Sequence, residues 1–75
     1  MTLNQLKYAI AVSESDSFNI AARKLYISQP SLSTSIHALE EEIGIQIFRR
    51  SQNGIAVTPD GKEFLGYARQ VMEQF

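Results

Sequence analysis

The sequence contains no cysteine, which excludes a disulfide framework, a thiolate metal site and a cysteine nucleophile together. Histidine occurs once and there is no glycine-rich phosphate loop, so little of the chemistry of an active site can be assembled. Ser33 and His37 are neighbours through helix geometry alone. No enzymatic activity is expected, and no cofactor or metal within this domain. Long hydrophobic runs are lacking too: the longest, Tyr8 to Val12, is too short for a membrane span, and no basic segment precedes a signal-type hydrophobic core. A soluble, cytoplasmic protein without a membrane partner is expected. Nor does charge of one sign dominate. Lys and Arg number 7 against 8 for Asp and Glu, a net charge of −1, so only the distribution of charge could point to a nucleic-acid partner.

At 75 residues the chain suits one small core, and a domain of this size hides only about 60% of its unfolded-chain surface. No repeat or low-complexity stretch interrupts it. Thr2 is placed to cap a first helix with Gln5 reaching back as in a capping box, and Leu3, Leu6, Ile10 and Ser13, widened by Ala9 and Val12, give it a core-facing stripe. Asp16 or Ser17 caps a second, short helix carrying Phe18, Ala21, Ala22 and Leu25. After a connection at Tyr26-Ile27, Ser28 or Gln29 caps a third helix with Pro30 in its first turn and an apolar stripe of Leu32, Ile36, Leu39 and Ile43. Gly44 can end it in the left-handed conformation. Ile45 and Ile47, then Ile55 and Val57, flank Arg49 to Gly54 as two short strands with a tight Asn53-Gly54 turn. Thr58-Pro59 opens a fourth helix running to Phe75 with no stop signal. The predicted fold is mainly α: a winged helix-turn-helix with a three-helix core and two-stranded wing over residues 1–58, and a linker helix over residues 59–75.

Two short helices joined by a tight turn form a unit that often places its second helix in the major groove of DNA. Ala21 and Ala22 allow the close approach of the helices that this unit needs. On the exposed face of the third helix, Gln29, Ser33 and His37 recur every four residues, with Pro30 and Thr34 alongside. Gln can donate to and accept from adenine, while Ser or Thr suits several bases. Ser31, near the helix start, can offer its hydroxyl or the local amides to a phosphate. The plain alternative is a solvated helix face. In the wing, strand alternation puts Arg49 and Arg50 on opposite faces, one free to enter the minor groove or clamp phosphates, unless it pairs with a glutamate of the body. Arg23 and Lys24 are further phosphate candidates or simply surface charge. Glu40, Glu41 and Glu42 gather at the far end of the third helix, so DNA should approach its N-terminal end.

Phe18, Ala21-Ala22, Leu25, the run Ser28-Gln29-Pro30-Ser31-Leu32-Ser33, Ile36, Leu39-Glu40, Gly44, Phe48, Arg50 and Thr58 together resemble the N-terminal domain of LysR-type transcriptional regulators, over essentially the whole chain. The resemblance implies sequence-specific binding of double-stranded DNA in the service of transcription regulation. It also implies that Gln29, Pro30 and Ser33 meet bases or sugars in the major groove, that Arg50 serves the wing and that Thr58 heads the linker helix. A homodimer and a separate C-terminal domain binding a small co-inducer are implied as well. Thr34, His37 and the wing tip Gln52-Asn53 depart from the basic residues that relatives often carry there.

In the fourth helix Gly61, Leu65, Ala68, Met72 and Phe75 recur at steps of four and three, with Phe64 and Val71 beside them. Part of this stripe serves the domain's own core, and the rest, with Leu65, Ala68, Met72 and Phe75 as the dimerisation residues, is expected to pair with a second copy. The alternative is that the whole stripe packs on its own domain. Paired chains would set two third helices about 34–36 Å apart, on an interrupted inverted repeat. A winged helix used for protein contact is the rival reading, and it predicts an apolar patch on the third helix.

Overall fold

Every helix begins on a hydroxyl cap. In the computed structural model, which describes residues 1–51 and 54–75, α1 (Leu3–Ser13) starts at a complete capping box. Thr2 Oγ1 accepts from the Gln5 amide at 3.1 Å, and Gln5 Oε1 accepts from the Thr2 amide at 2.9 Å. Ser17 caps α2 (Phe18–Leu25) and Ser28 caps α3 (Gln29–Ile43), which settles both choices left open by the sequence. Gly44, at φ 75°, closes α3 in the left-handed region, its amide donating to the Glu40 carbonyl. The turn between α2 and α3 rests on Tyr26, which adopts φ 59° and is 95% exposed. A bulky residue rarely takes that conformation.

The core lies where α1 meets α2, α3 and α4 (Pro59–Met72). Leu6, Ala9 and Val12 of α1, Phe18, Ala21 and Ala22 of α2, and Leu32, Ile36 and Leu39 of α3 are buried. Each large side chain among them contributes about 1.5–3 kcal/mol by leaving water. Some expected stripe members differ: Leu3, in the first turn of α1, is 44% exposed, and Ile10, Ser13, Leu25 and Ile43 are only half-buried.

The wing is an antiparallel pair, β1 (Phe48–Ser51) and β2 (Gly54–Val57), in register from Phe48 opposite Val57 to Ser51 opposite Gly54. Gly54 therefore belongs to the second strand. The rest of the expected Asn53-Gly54 turn, and the wing tip Gln52-Asn53, lie outside the described residues. Ile45 and Ile47, expected in the first strand, precede it. Ile47 is fully buried, and its amide donates to Glu40 Oε2 at 2.7 Å instead of to a strand partner, with the Phe48 amide on the same oxygen at 3.2 Å. Glu40 thus turns into the body and ties the end of α3 to the root of the wing, rather than joining a solvated acidic cluster.

The buried Thr58 joins wing to α4. Its amide donates to the Ile47 carbonyl at 2.9 Å, its hydroxyl donates to the Gln46 carbonyl, and its Oγ1 accepts from the Gly61 amide at 2.9 Å. Gly61 presses against the same segment so closely that a Cβ there would sit 2.4 Å from the Ile47 carbonyl oxygen. Leu65 belongs to the main core and Ala68 is equally buried, both 2% exposed, so the expected boundary at residue 58 falls inside one packed unit. This also corrects the dimerisation stripe: Gly61, Leu65 and Ala68 face their own domain, because α4 must cover α1 and the Ile45–Ile47 segment. The helix ends at Met72 rather than Phe75. Among the described residues, no helix is long and apolar enough to cross a membrane.

Candidate nucleic-acid interface

Capping, stripe and wing together decide what α3 shows to solvent. With Leu32, Ile36 and Leu39 buried, the helix turns outward Pro30, Ser31, Thr34 and His37 along its first half and Glu41 and Glu42 at its far end. Gln29 and Ser33 lie half-buried at the edge facing the wing. At the helix start, Ser28 Oγ accepts from the Ser31 amide at 3.1 Å and lies 2.8 Å from Ser31 Oγ. The Ser31 amide is therefore committed to the cap, and its hydroxyl is what remains for a phosphate.

The wing arginines diverge, as strand alternation requires. Arg49 is exposed, and among the described residues neither it nor Arg50 forms an ion pair with a glutamate or aspartate. Arg50 folds back over the body. Its Cζ sits 4.2 Å from the centroid of the Phe18 ring, and its Nη2 donates to Ser33 Oγ at 2.7 Å. Ser33 Oγ also accepts from Gln29 Nε2 at 2.8 Å. The Phe18 ring is itself fixed edge-on to Phe48, with centroids 6.0 Å apart and planes at 82°. The floor of the cleft between α3 and the wing, with a volume of about 280 Å³, is thus rigid aromatic core, and its rim is polar.

His37 is 73% exposed, and its Nδ1 lies 3.8 Å from Glu40 Oε1, too far for a hydrogen bond. Glu42 meets the terminal ammonium of Met1 at 2.5 Å, which draws its charge away from the helix's exposed first half. Arg23 and Lys24 stand exposed in the last turn of α2. On α3 the acids therefore sit at the C-terminal end or are engaged by the body, while neutral hydrogen-bonding groups occupy the opposite end with Arg50 beside them.

Sequence reasoning identified Gln29, Pro30, Ser31, Ser33, Thr34, His37, Arg49 and Arg50 as one group; the structure joins Gln29, Ser33 and Arg50 by hydrogen bonds and exposes Pro30, Ser31, Thr34 and His37 along α3, while Arg49 is exposed on the strand face opposite to Arg50. It missed Phe18 as the platform for Arg50 and Glu40 as the anchor of the wing. The Gln29–Ser33 bond was foreshadowed by their spacing of one helical turn, whereas nothing local marks the 17-residue reach from Ser33 to Arg50. On α4, the apolar side chains left exposed are Tyr67 and Val71, at 61% and 41%, with Phe64 and Met72 half-buried, and Phe75 beyond the helix end is 82% exposed. Phe64 and Tyr67 adjoin Ile43 and Ile45 in a shallow cleft.

Comparison with known proteins supplies the context for this geometry. The chain is 46% identical over 72 residues to the HTH-type transcriptional regulator TfdT of Cupriavidus pinatubonensis (strain JMP 134 / LMG 1197), a match covering 96% of this chain and 32% of that protein. It is 46% identical, again over 72 residues, to the HTH-type transcriptional regulator BenM of Acinetobacter baylyi, covering 96% of this chain and 24% of BenM. The chain thus spans about a third or less of these relatives. The crystal structure of a CbnR DBD–DNA complex superposes with a TM-score of 0.94 at 40% identity, over 99% of this chain and 85% of that one. A BenM DBD/catB site 1 DNA complex does so with a TM-score of 0.92 at 44% identity, over 99% and 80%. Residues 3–62 match the family described as bacterial regulatory helix-turn-helix protein, lysR family. The chain belongs to the lysR family of bacterial regulatory helix-turn-helix proteins, a family of transcriptional regulators and not of enzymes.

Proposed function

We propose that this chain reads double-stranded DNA in a sequence-specific manner, as a homodimer, in the cytoplasm and in the service of transcription regulation. The observation that carries the reading is the face of α3. It offers Gln29, Ser33, Thr34 and His37 for hydrogen bonding beside two wing arginines, while Glu40 is turned inward and Glu41 and Glu42 lie at the far end. Pro30 adds apolar surface able to meet a thymine methyl, and Ser31 and Arg49 are the phosphate contacts. The DNA complexes formed by the CbnR and BenM domains, 40% and 44% identical to this chain, support the same use of the fold. The rival protein-contact reading needs an apolar patch on α3, and none of the large exposed hydrophobic residues lies there.

The dimer contact is assigned to the surface that the domain's own core leaves uncovered, Tyr67 and Val71 of α4 and Phe75 after it, with Phe64 and Met72 at its margins. Two copies joined there would place their α3 helices on successive major grooves, about 34–36 Å apart, over an interrupted inverted repeat. A small-molecule co-inducer is assigned to a separate domain outside this chain. Linker duty falls to the part of α4 beyond residue 68.

Selection of bound sequences from random duplex DNA, followed by titration of the winner at several salt concentrations, tests this reading. An enriched inverted repeat whose binding weakens steeply with salt is expected. Folded, dimeric protein that enriches nothing would refute it.

A further inference from the structure

Arg50 is an exposed wing arginine, yet its guanidinium is held against the body of the domain by two contacts. One face lies on the Phe18 ring at 4.2 Å, and Nη2 donates to Ser33 Oγ at 2.7 Å. The platform does not move easily, because Phe18 is 8% exposed and locked against Phe48 at the root of the wing. A planar guanidinium stacked on a ring while donating from its edge is a geometry that lysine cannot copy.

The consequence falls on the helix. A serine hydroxyl has two acceptor lone pairs and one proton to give. In Ser33 both lone pairs are taken, one by Arg50 Nη2 and one by Gln29 Nε2 at 2.8 Å. Among the described residues nothing accepts its proton. Ser33 is thereby left as a donor, and Gln29, with one N–H committed, keeps its Oε1 and one further N–H. That remainder is one acceptor beside one donor, the pair that matches the N6 and N7 edge of adenine, with the Ser33 proton next to it for a neighbouring N7, O6 or O4. Without Arg50 the hydroxyl can rotate, and the amide can turn over and exchange acceptor for donor. We propose that Arg50 is a positioning residue for base reading: acting through Ser33, it fixes which hydrogen-bonding groups the face of α3 presents. This rests on the DNA-reading function proposed above and gives that function its chemical polarity.

The test uses the duplex enriched by the unsubstituted chain, together with all its single-base-pair variants. Equilibrium binding is measured at several salt concentrations for Arg50→Ala, Arg50→Lys, Ser33→Ala and the Arg50→Ala/Ser33→Ala pair, with thermal midpoints confirming that each is folded. In both Arg50 variants, preference at the one or two base pairs per half-site that Ser33→Ala relaxes is expected to fall about tenfold. The slope of log Kd on log salt should move by less than about 0.3, and the double substitution should relax preference no further than Ser33→Ala alone. A uniform loss across all duplexes with the slope reduced by about 0.9 in Arg50→Ala and restored in Arg50→Lys marks a phosphate contact and overturns the proposal. Unchanged preference in both variants overturns it equally. If the unsubstituted chain enriches no duplex, the DNA-reading function itself fails and takes this role with it.

Discussion

Gly61→Ala should destabilise the domain although alanine is the better helix former, and Gly66→Ala, one and a half turns along the same helix, should do the opposite. At position 61 an added Cβ would lie 2.4 Å from the Ile47 carbonyl oxygen and 2.9 Å from its Cα. Carbon contacts settle near 3.5–4.0 Å, so the start of α4 must lift by about 1 Å. The obstacle is backbone, which cannot rotate aside. Overpacking of this kind costs about 1–3 kcal/mol, and stretching the two hydrogen bonds that Thr58 makes to the Gln46–Ile47 segment adds about 1 kcal/mol. The intrinsic gain of alanine over glycine offsets about 1 kcal/mol. A net loss of about 2 kcal/mol follows, or a thermal midpoint lower by about 8–16 °C for a domain of this size. At position 66 nothing lies within 4 Å of the added atom, so a gain of about 0.5–1 kcal/mol is expected. Thermal unfolding followed by far-ultraviolet circular dichroism, at one fixed protomer concentration because association shifts the midpoint, decides the matter. Shifts of the same sign in the two variants would refute the packing argument.

Other substitutions test separate parts of the account. Glu40→Ala strands the amides of Ile47 and Phe48 and should cost about 1–3 kcal/mol in urea unfolding, with Glu40→Gln milder because its amide oxygen still accepts. Tyr26→Asn relieves a left-handed backbone at a side chain that is almost wholly exposed, and should raise stability by about 0.5–1 kcal/mol in the same assay. Gln29→Ala should relax base preference at the selected site by about 1–3 kcal/mol, read from single-base-pair variants of that duplex. Tyr67→Glu and Val71→Glu should dissociate the dimer in sedimentation and weaken DNA binding without unfolding the chain, whereas Leu65→Asp, in the core, should unfold it. Dimers that survive both glutamate substitutions would contradict the assignment of the α4 surface.

What could be read in the sequence was local. The caps at Thr2, Ser17, Ser28 and Thr58 and the terminator at Gly44 each depend on residues within one helical turn, and the apolar stripe of α3 depends only on its period. The face of α4 was harder to assign, because its seven-residue spacing is served equally by a partner helix and by α1. Only the approach of Gly61 to Ile47 fixes the rotation that buries Leu65 and Ala68 and leaves Tyr67 and Val71 outside. Glu40 and Arg50 were misleading for a related reason. A charge normally belongs in solvent, and what draws Glu40 inward is a pair of amides in the Ile47–Phe48 segment, while an aromatic ring on another helix holds the still exposed Arg50 against the body. Helix periodicity suffices to put Pro30, Ser31, Thr34 and His37 on the uncovered side of α3 with Gln29 and Ser33 at its edge, whereas the two-residue period of the strand turns Arg49 and Arg50 to opposite faces of the wing.

The absence of cysteine allows the central claim, that the first half of α3 meets the DNA, to be tested most directly. A single cysteine introduced as Thr34→Cys, and separately as Glu41→Cys, carries a tethered DNA-cleaving iron chelate at one unique position. With the selected duplex, cleavage from position 34 is expected in two clusters about one helical turn apart, each within a half-site, and cleavage from position 41 is expected to be much weaker. Equal cleavage from the two positions, or strong cleavage from position 41 alone, would contradict the account.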